Sequence, residues 1–201
     1  MSPLETLGFT LGTSFAAGLN LYATVATAGL LDYYGVIHLP PSLIVLAQPL
    51  VWGIALGIFA VEFVADKIPL VDSVWDTLHT FIRPPAAAFL AYGAFADVPE
   101  PWKIGAALLA GGVALTSHGA KATTRVAANT SPEPFSNWLL SGTEDVVAIG
   151  LSWLAATHPV ITAAVVTVLV VACGLVIWKL WRFARRAFVS LRTPAPVRGE
   201  R

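Results

Sequence analysis

Hydrophobic positions in this chain come in long runs, without the strict alternation of strands or the narrow stripes of soluble helices. A bilayer-spanning helix needs about 20 mostly apolar residues. Six runs approach or reach that length: 7–31, 43–64, 72–95, 102–124, 144–157 and 160–180. The pattern predicts an all-α, polytopic membrane helix bundle of about six transmembrane helices over 1–180. A basic amphipathic tail over 181–201 follows, as expected where a helix leaves an anionic membrane surface.

Several runs carry breaks. Ala17-Gly18-Leu19-Asn20 interrupts the first, which ends at the interfacial tyrosines Tyr33 and Tyr34. Pro40-Pro41 marks a loop, and Pro49 lies near the start of the second run. The third run has an amphipathic part, 72–83, too short to span, then Pro84-Pro85 and an apolar part. One kinked crossing is the expected outcome. Ser2, Pro3 and Glu5 read as N-cap, first and third positions of the opening helix.

Composition reinforces the pattern. The chain has 201 residues, 56% hydrophobic and 12% charged, against about 25% charged in an ordinary soluble domain. Twelve basic and twelve acidic residues balance, so no nucleic acid partner is expected. The single Cys173 excludes an intramolecular disulfide or a multi-cysteine metal site. No basic residue precedes the first apolar run, so no cleavable signal is expected.

Six crossings would put both termini on one side, together with Lys67, Lys121, Arg125, Lys179, Arg182, Arg185, Arg186 and Arg192. The opposite loops hold Asp32, Asp97 and Glu100, with Lys103 alone among basic residues. The positive-inside rule then makes both termini cytoplasmic. A faint echo of residues 17–26 in residues 118–127 suggests an inverted repeat of two three-helix halves.

The candidate chemistry starts between Glu62 and Arg83. Asp72, Asp76, His79 and Arg83 are 4, 3 and 4 residues apart. On a helix they fall within an arc of roughly 60°. Glu62 and Asp66 sit one turn apart at the end of the preceding run. Ionisable groups inside a membrane are costly and mark functional sites by default. Asp72, Asp76 and His79 offer mixed oxygen and nitrogen ligands suited to a divalent metal, the one cofactor the sequence suggests. The same imidazole beside carboxylates could relay protons. The competing reading is a solvated turn, with Asp72 a helix cap and Asp76 paired to His79.

A second cluster comprises His118 and Lys121 with Glu144 and Asp145. Lys121 snorkelling to the interface and the two acids stabilising a helix N-terminus form the plain alternative. In the functional version both clusters lie at one membrane face and bind one solute, with Asn20 and Tyr22 facing the same cavity.

The runs Ser14–Thr24, Glu62–Pro84 and Thr130–Asn137, with Asp66-Lys67-Ile68-Pro69 the most specific motif, resemble a bacterial integral-membrane family called domain of unknown function 4126. The likeness covers residues 5–160. It implies a small inner-membrane protein and no substrate. Three functions stay open. The leading one is a small, dimeric transporter or channel-like permease for a cation or polar solute. The others are a membrane-embedded metal-dependent enzyme acting on lipid headgroups, and a structural or assembly protein. No nucleophile elbow, Walker loop or H-E-x-x-H motif is present.

Overall fold

The computed structural model describes residues 1–129 and 134–192. Among them every regular element is helical: α1 Pro3–Leu19, α2 Leu21–Tyr33, a 3-10 segment Pro41–Ala47, α3 Pro49–Ala65, α4 Pro69–His79, α5 Arg83–Ala94, α6 Glu100–Asn129, α7 Pro134–Thr157 and α8 Pro159–Arg192. α1, α3, α4, α7 and α8 each open on a proline. At a helix start its fixed φ is preorganised and its missing N–H costs nothing. At the first of these, Ser2 and Glu5 form a reciprocal capping box.

Polarity is inverted relative to a soluble protein. Leu50, Phe81, Phe89, Trp102 and Leu108 are 72–77% exposed, whereas Glu62, Asp66, Asp72 and Arg83 are fully buried. Water does not favour that arrangement; a hydrocarbon surround does. Two stretches, Asn137–Thr157 and Pro159–Arg186, are long and apolar enough to cross a membrane. The 3-10 segment and α3, bent by 62°, make a third if counted as one span.

The first expected crossing, 7–31, is a helical hairpin. Asn20 is the single residue between α1 and α2, extended at φ −150° and ψ 103°. Its backbone N–H donates to Ala16 O as α1 ends, and its side chain accepts from Ala23 N as α2 begins. The chain reverses there: Phe9 and Thr13 of α1 line one small cavity with Thr24, Val25 and Ala28 of α2. Unreversed, Phe9 and Ala28 would stand about 28 Å apart at 1.5 Å per residue.

The third run also differs from expectation. Its break falls at Thr80–Ile82, and Arg83, Pro84 and Pro85 form the first turn of α5. The prolines therefore start a helix where a mid-crossing kink was expected. α6 runs unbroken from Glu100 to Asn129, so the break at Asn20 has no counterpart at Lys121. The inverted repeat gains no support from this arrangement.

α1 packs against α5, α6, α7 and α8. Phe15, Ala16 and Leu19 meet Val113, Ala148, Leu151 and Val166, forming an apolar core across four helices. Contact is closest at Gly18, where an added Cβ would lie 1.9 Å from Ser117 Oγ and 2.3 Å from Ala114 O. Gly8 meets Pro159 at the start of α8, whereas Ile177, further along α8, lies beside Gly119. α1 and α8 therefore run parallel, and the two ends of the described chain lie at opposite ends of the bundle. This corrects the expectation of both termini on one side: the hairpin adds one reversal that six simple crossings lack.

Candidate functional site

α3 ends with Glu62 and Asp66 one turn apart, both directed inward. α4 adds Asp72 and Asp76, α5 starts at Arg83, and α6 presents Ser117, His118, Lys121 and Arg125 along one face. α7 contributes Glu144 and Asp145, and the hairpin tip contributes Asn20. The two clusters expected from the sequence are one.

Arg125 is the hub, and it lies one residue past the fourth expected crossing, 102–124. It is 1% exposed and inside α6. Its Nη1 donates to Asp72 Oδ1 at 2.6 Å and to Asp66 O at 2.9 Å. Its Nη2 donates to Asp66 Oδ2 at 2.9 Å and Glu144 Oε2 at 2.5 Å. The signal that would have found it is its spacing, one turn beyond Lys121 and two beyond His118. Lys121 Nζ donates to Asp66 Oδ2 at 2.9 Å and to Leu19 O at 3.2 Å. It also stands 3.6–3.8 Å from Glu62, Asp76 and Glu144.

Arg83 pairs with Glu62 and donates to Gly18 O and His118 Nδ1, both at 3.0 Å. A guanidinium only donates, so His118 Nδ1 accepts and the ring proton is assigned to Nε2. That nitrogen lies 3.1 Å from Asp76 O and 2.9 Å from Thr80 Oγ1. Thus the carbonyls ending α1 face buried cations, which offset the negative end of the helix dipole. Asn20 Nδ2 donates to Asp145 Oδ1 at 2.9 Å.

His79 and Tyr22 form a separate flank. His79 Nδ1 donates to Trp75 O at 2.8 Å, and Nε2 is 3.1 Å from Tyr22 Oη. The His79 ring also stacks on Trp75. The expected Asp76–His79 pair does not form. Asp72 is not a cap, because Ile68 holds the N-cap position of α4. Lys67 turns away, its ammonium 3.0 Å from the centre of the Phe63 ring. Among the described residues no group of three or more His, Cys, Asp or Glu is disposed to hold a metal ion. The suggested set Asp72, Asp76 and His79 has Asp72 committed to Arg125 and both nitrogens of His79 engaged.

Charge does not balance. Six carboxyl groups (Glu62, Asp66, Asp72, Asp76, Glu144, Asp145) face three cations (Arg83, Lys121, Arg125), so a fully ionised cluster with neutral imidazoles would lack three positive charges. Acceptors are left over as well: Glu62 Oε2, Asp66 Oδ1, Asp72 Oδ2, Asp145 Oδ2 and both Asp76 carboxylate oxygens are buried without a hydrogen bond. A cavity of about 150 Å³ between α4 and α6 reaches this deficit. Asp72, Asp76, Thr77 and Thr80 wall one side, Ala122 and Arg125 the other. That volume admits several waters or one small solute.

Residues Thr130–Glu133 of the resemblance motif and 193–201 of the expected tail lie outside the described residues. No curated protein and no solved structure matches the chain. A family model matches residues 7–180, which contain every ionisable group of the cluster and both halves of the hairpin. The chain belongs to that family, whose description is domain of unknown function (DUF4126).

Proposed function

We propose that this protein is a small multi-pass permease of the bacterial inner membrane that binds a cation or small polar solute at the buried cluster. The observation that carries the reading is Asp76. The residue is 5% exposed, its nearest cations Lys121 and Arg83 stand 3.8 and 3.9 Å away, neither oxygen has a hydrogen bond, and it borders a cavity between α4 and α6. A purely structural ion network would be expected to satisfy its most buried acceptors, since an unpaired one costs about 1–3 kcal/mol or more. Acceptors held ready beside a cavity fit a ligand that arrives and leaves. A helix hairpin whose tip carbonyls face the same cluster fits the broken helices that line transporter sites.

Orientation follows from charge. Lys179, Arg182, Arg185 and Arg186 lie on the part of α8 that leaves the cluster end of the bundle, while Asp32, Asp97 and Glu100 lie at the other end. The cluster end is then cytoplasmic, and the N-terminus faces the opposite side. A dimer is part of the proposal, because a chain of 21.2 kDa offers little wall for a pathway.

The test is flux in proteoliposomes across a panel of small cations and polar solutes. Solute-dependent flux that is lost in Asp76→Asn, with elution and thermal unfolding unchanged, supports the reading. A folded wild-type protein that moves nothing in the panel removes it.

A further inference from the structure

Resting on the permease reading, we infer that the ligand is a small monovalent cation carrying N–H donors: ammonium or a short primary alkylammonium. The site is the wall of the α4–α6 cavity. Asp72 and Asp76 supply two carboxyl groups there, and the cations nearest them, Arg125 and Lys121, are shared with Asp66 and Glu144, so the cluster's surplus of carboxyl groups over cations reaches this wall. An anion is repelled, and a neutral solute leaves the deficit standing.

The acceptor count points the same way. Three oxygens of these two lining residues lack a donor: Asp72 Oδ2, Asp76 Oδ1 and Asp76 Oδ2. Both residues are at least nine-tenths buried, at 0% and 5% exposure. The nearest cations to Asp76 Oδ1 are Lys121 Nζ at 3.8 Å and Arg83 Nη1 at 3.9 Å, outside hydrogen-bond reach. Asp72 Oδ1 is already held by Arg125 at 2.6 Å. Unpartnered carboxyl oxygens beside a cavity suit the N–H donors of an ammonium head.

A metal ion asks for something else. A divalent ion gathers several ligands about one centre, and no group of three or more His, Cys, Asp or Glu is so placed among the described residues. Thr77 and Thr80 hydroxyls already donate to Ser73 O and Asp76 O, so they add no donors that would satisfy the carboxylates. Ala122 and Val126 line the remaining wall and give an apolar surface for one or two carbons.

The experiment uses the full chain in detergent with radiolabelled methylammonium as probe. Saturable binding is expected, competed by ammonium but not by equal sodium or potassium. Asp76→Asn, which keeps shape and removes charge, weakens it by about tenfold or more. Ala122→Phe, which fills the cavity and touches no charge, does the same. If Asp76→Asn fails to fold, Ala122→Phe alone decides.

Absence of saturable methylammonium binding to folded wild type overturns the inference. So does binding that survives Ala122→Phe, or equal competition by sodium. Sodium or potassium flux lost in Asp76→Asn, with no methylammonium binding, overturns the ligand class while the permease reading stands. Saturable methylammonium binding with no flux of any solute upholds the ligand class and removes the permease reading.

Discussion

Arg125 illustrates how single residues hold this molecule together. Its guanidinium makes hydrogen bonds to Asp66, Asp72 and Glu144, from α3's cap, α4 and α7, in a setting where water screens little. Replacing it with Met leaves three carboxylates without their shared partner. The expected loss is about 3–5 kcal/mol, measured by thermal or denaturant unfolding in detergent. Arg125→Lys restores little, since an ammonium lacks the planar fork that reaches three acceptors at once. A Met variant as stable as wild type would mean the network is not what ties α6 to α4. Combining it with Asp72→Asn recovers part of the loss, because one uncompensated charge is removed.

Among the elements, the α1–α2 hairpin decides the site's shape. Its tip enters the bundle because Gly18 lets the backbone approach α6 and because Asn20 caps both helices with one side chain and one N–H. Gly18→Val places carbon into Ser117 and the Ala114 carbonyl, neither of which can move far within packed helices. A destabilisation of about 1–3 kcal/mol is expected. Gly53→Ala on α3, where nothing lies within 4 Å of a new Cβ, costs far less in the same unfolding assay. Asn20→Ala removes the cap of α2 and the donor to Asp145 Oδ1, so it exceeds the roughly 1 kcal/mol of a lost cap alone. Equal effects at Gly18 and Gly53 would contradict the close crossing of α1 and α6.

For the whole molecule, the hairpin's extra reversal sets topology. The first helix starts beside Pro159 and α8 runs away from there past Gly119, so the two ends of the described chain lie at opposite ends of the bundle. Cysteines introduced singly as Ser2→Cys and Arg186→Cys in a Cys173→Ala background test this in intact cells. A membrane-impermeant maleimide is expected to label the N-terminal position alone once the outer barrier is opened. Labelling of both positions, or of neither until lysis, would restore six simple crossings.

The sequence by itself determined that the elements are helices, that Ser2, Pro3 and Glu5 open the first of them, and which residues are too polar for their surroundings. These are local matters: apolar run length, proline's fixed φ and the scarcity of charge each act within a few turns. It also marked Asn20, Glu62, Asp66, Asp72, Asp76, Arg83, His118, Lys121, Glu144 and Asp145, because an ionisable or amide group in an apolar run stands out wherever the run goes. Only the tertiary structure decided that the two clusters are one, that Arg125 belongs to a helix and anchors it, that His79 turns to Tyr22, and that the chain doubles back at Asn20. Partners 53 and 59 residues apart choose each other by charge and distance after helices pack. One extended residue can continue a helix pair or reverse it with the same local signal. Long-range ion pairing and close helix crossing settle that choice, and neither has a signature within the span of a helical turn.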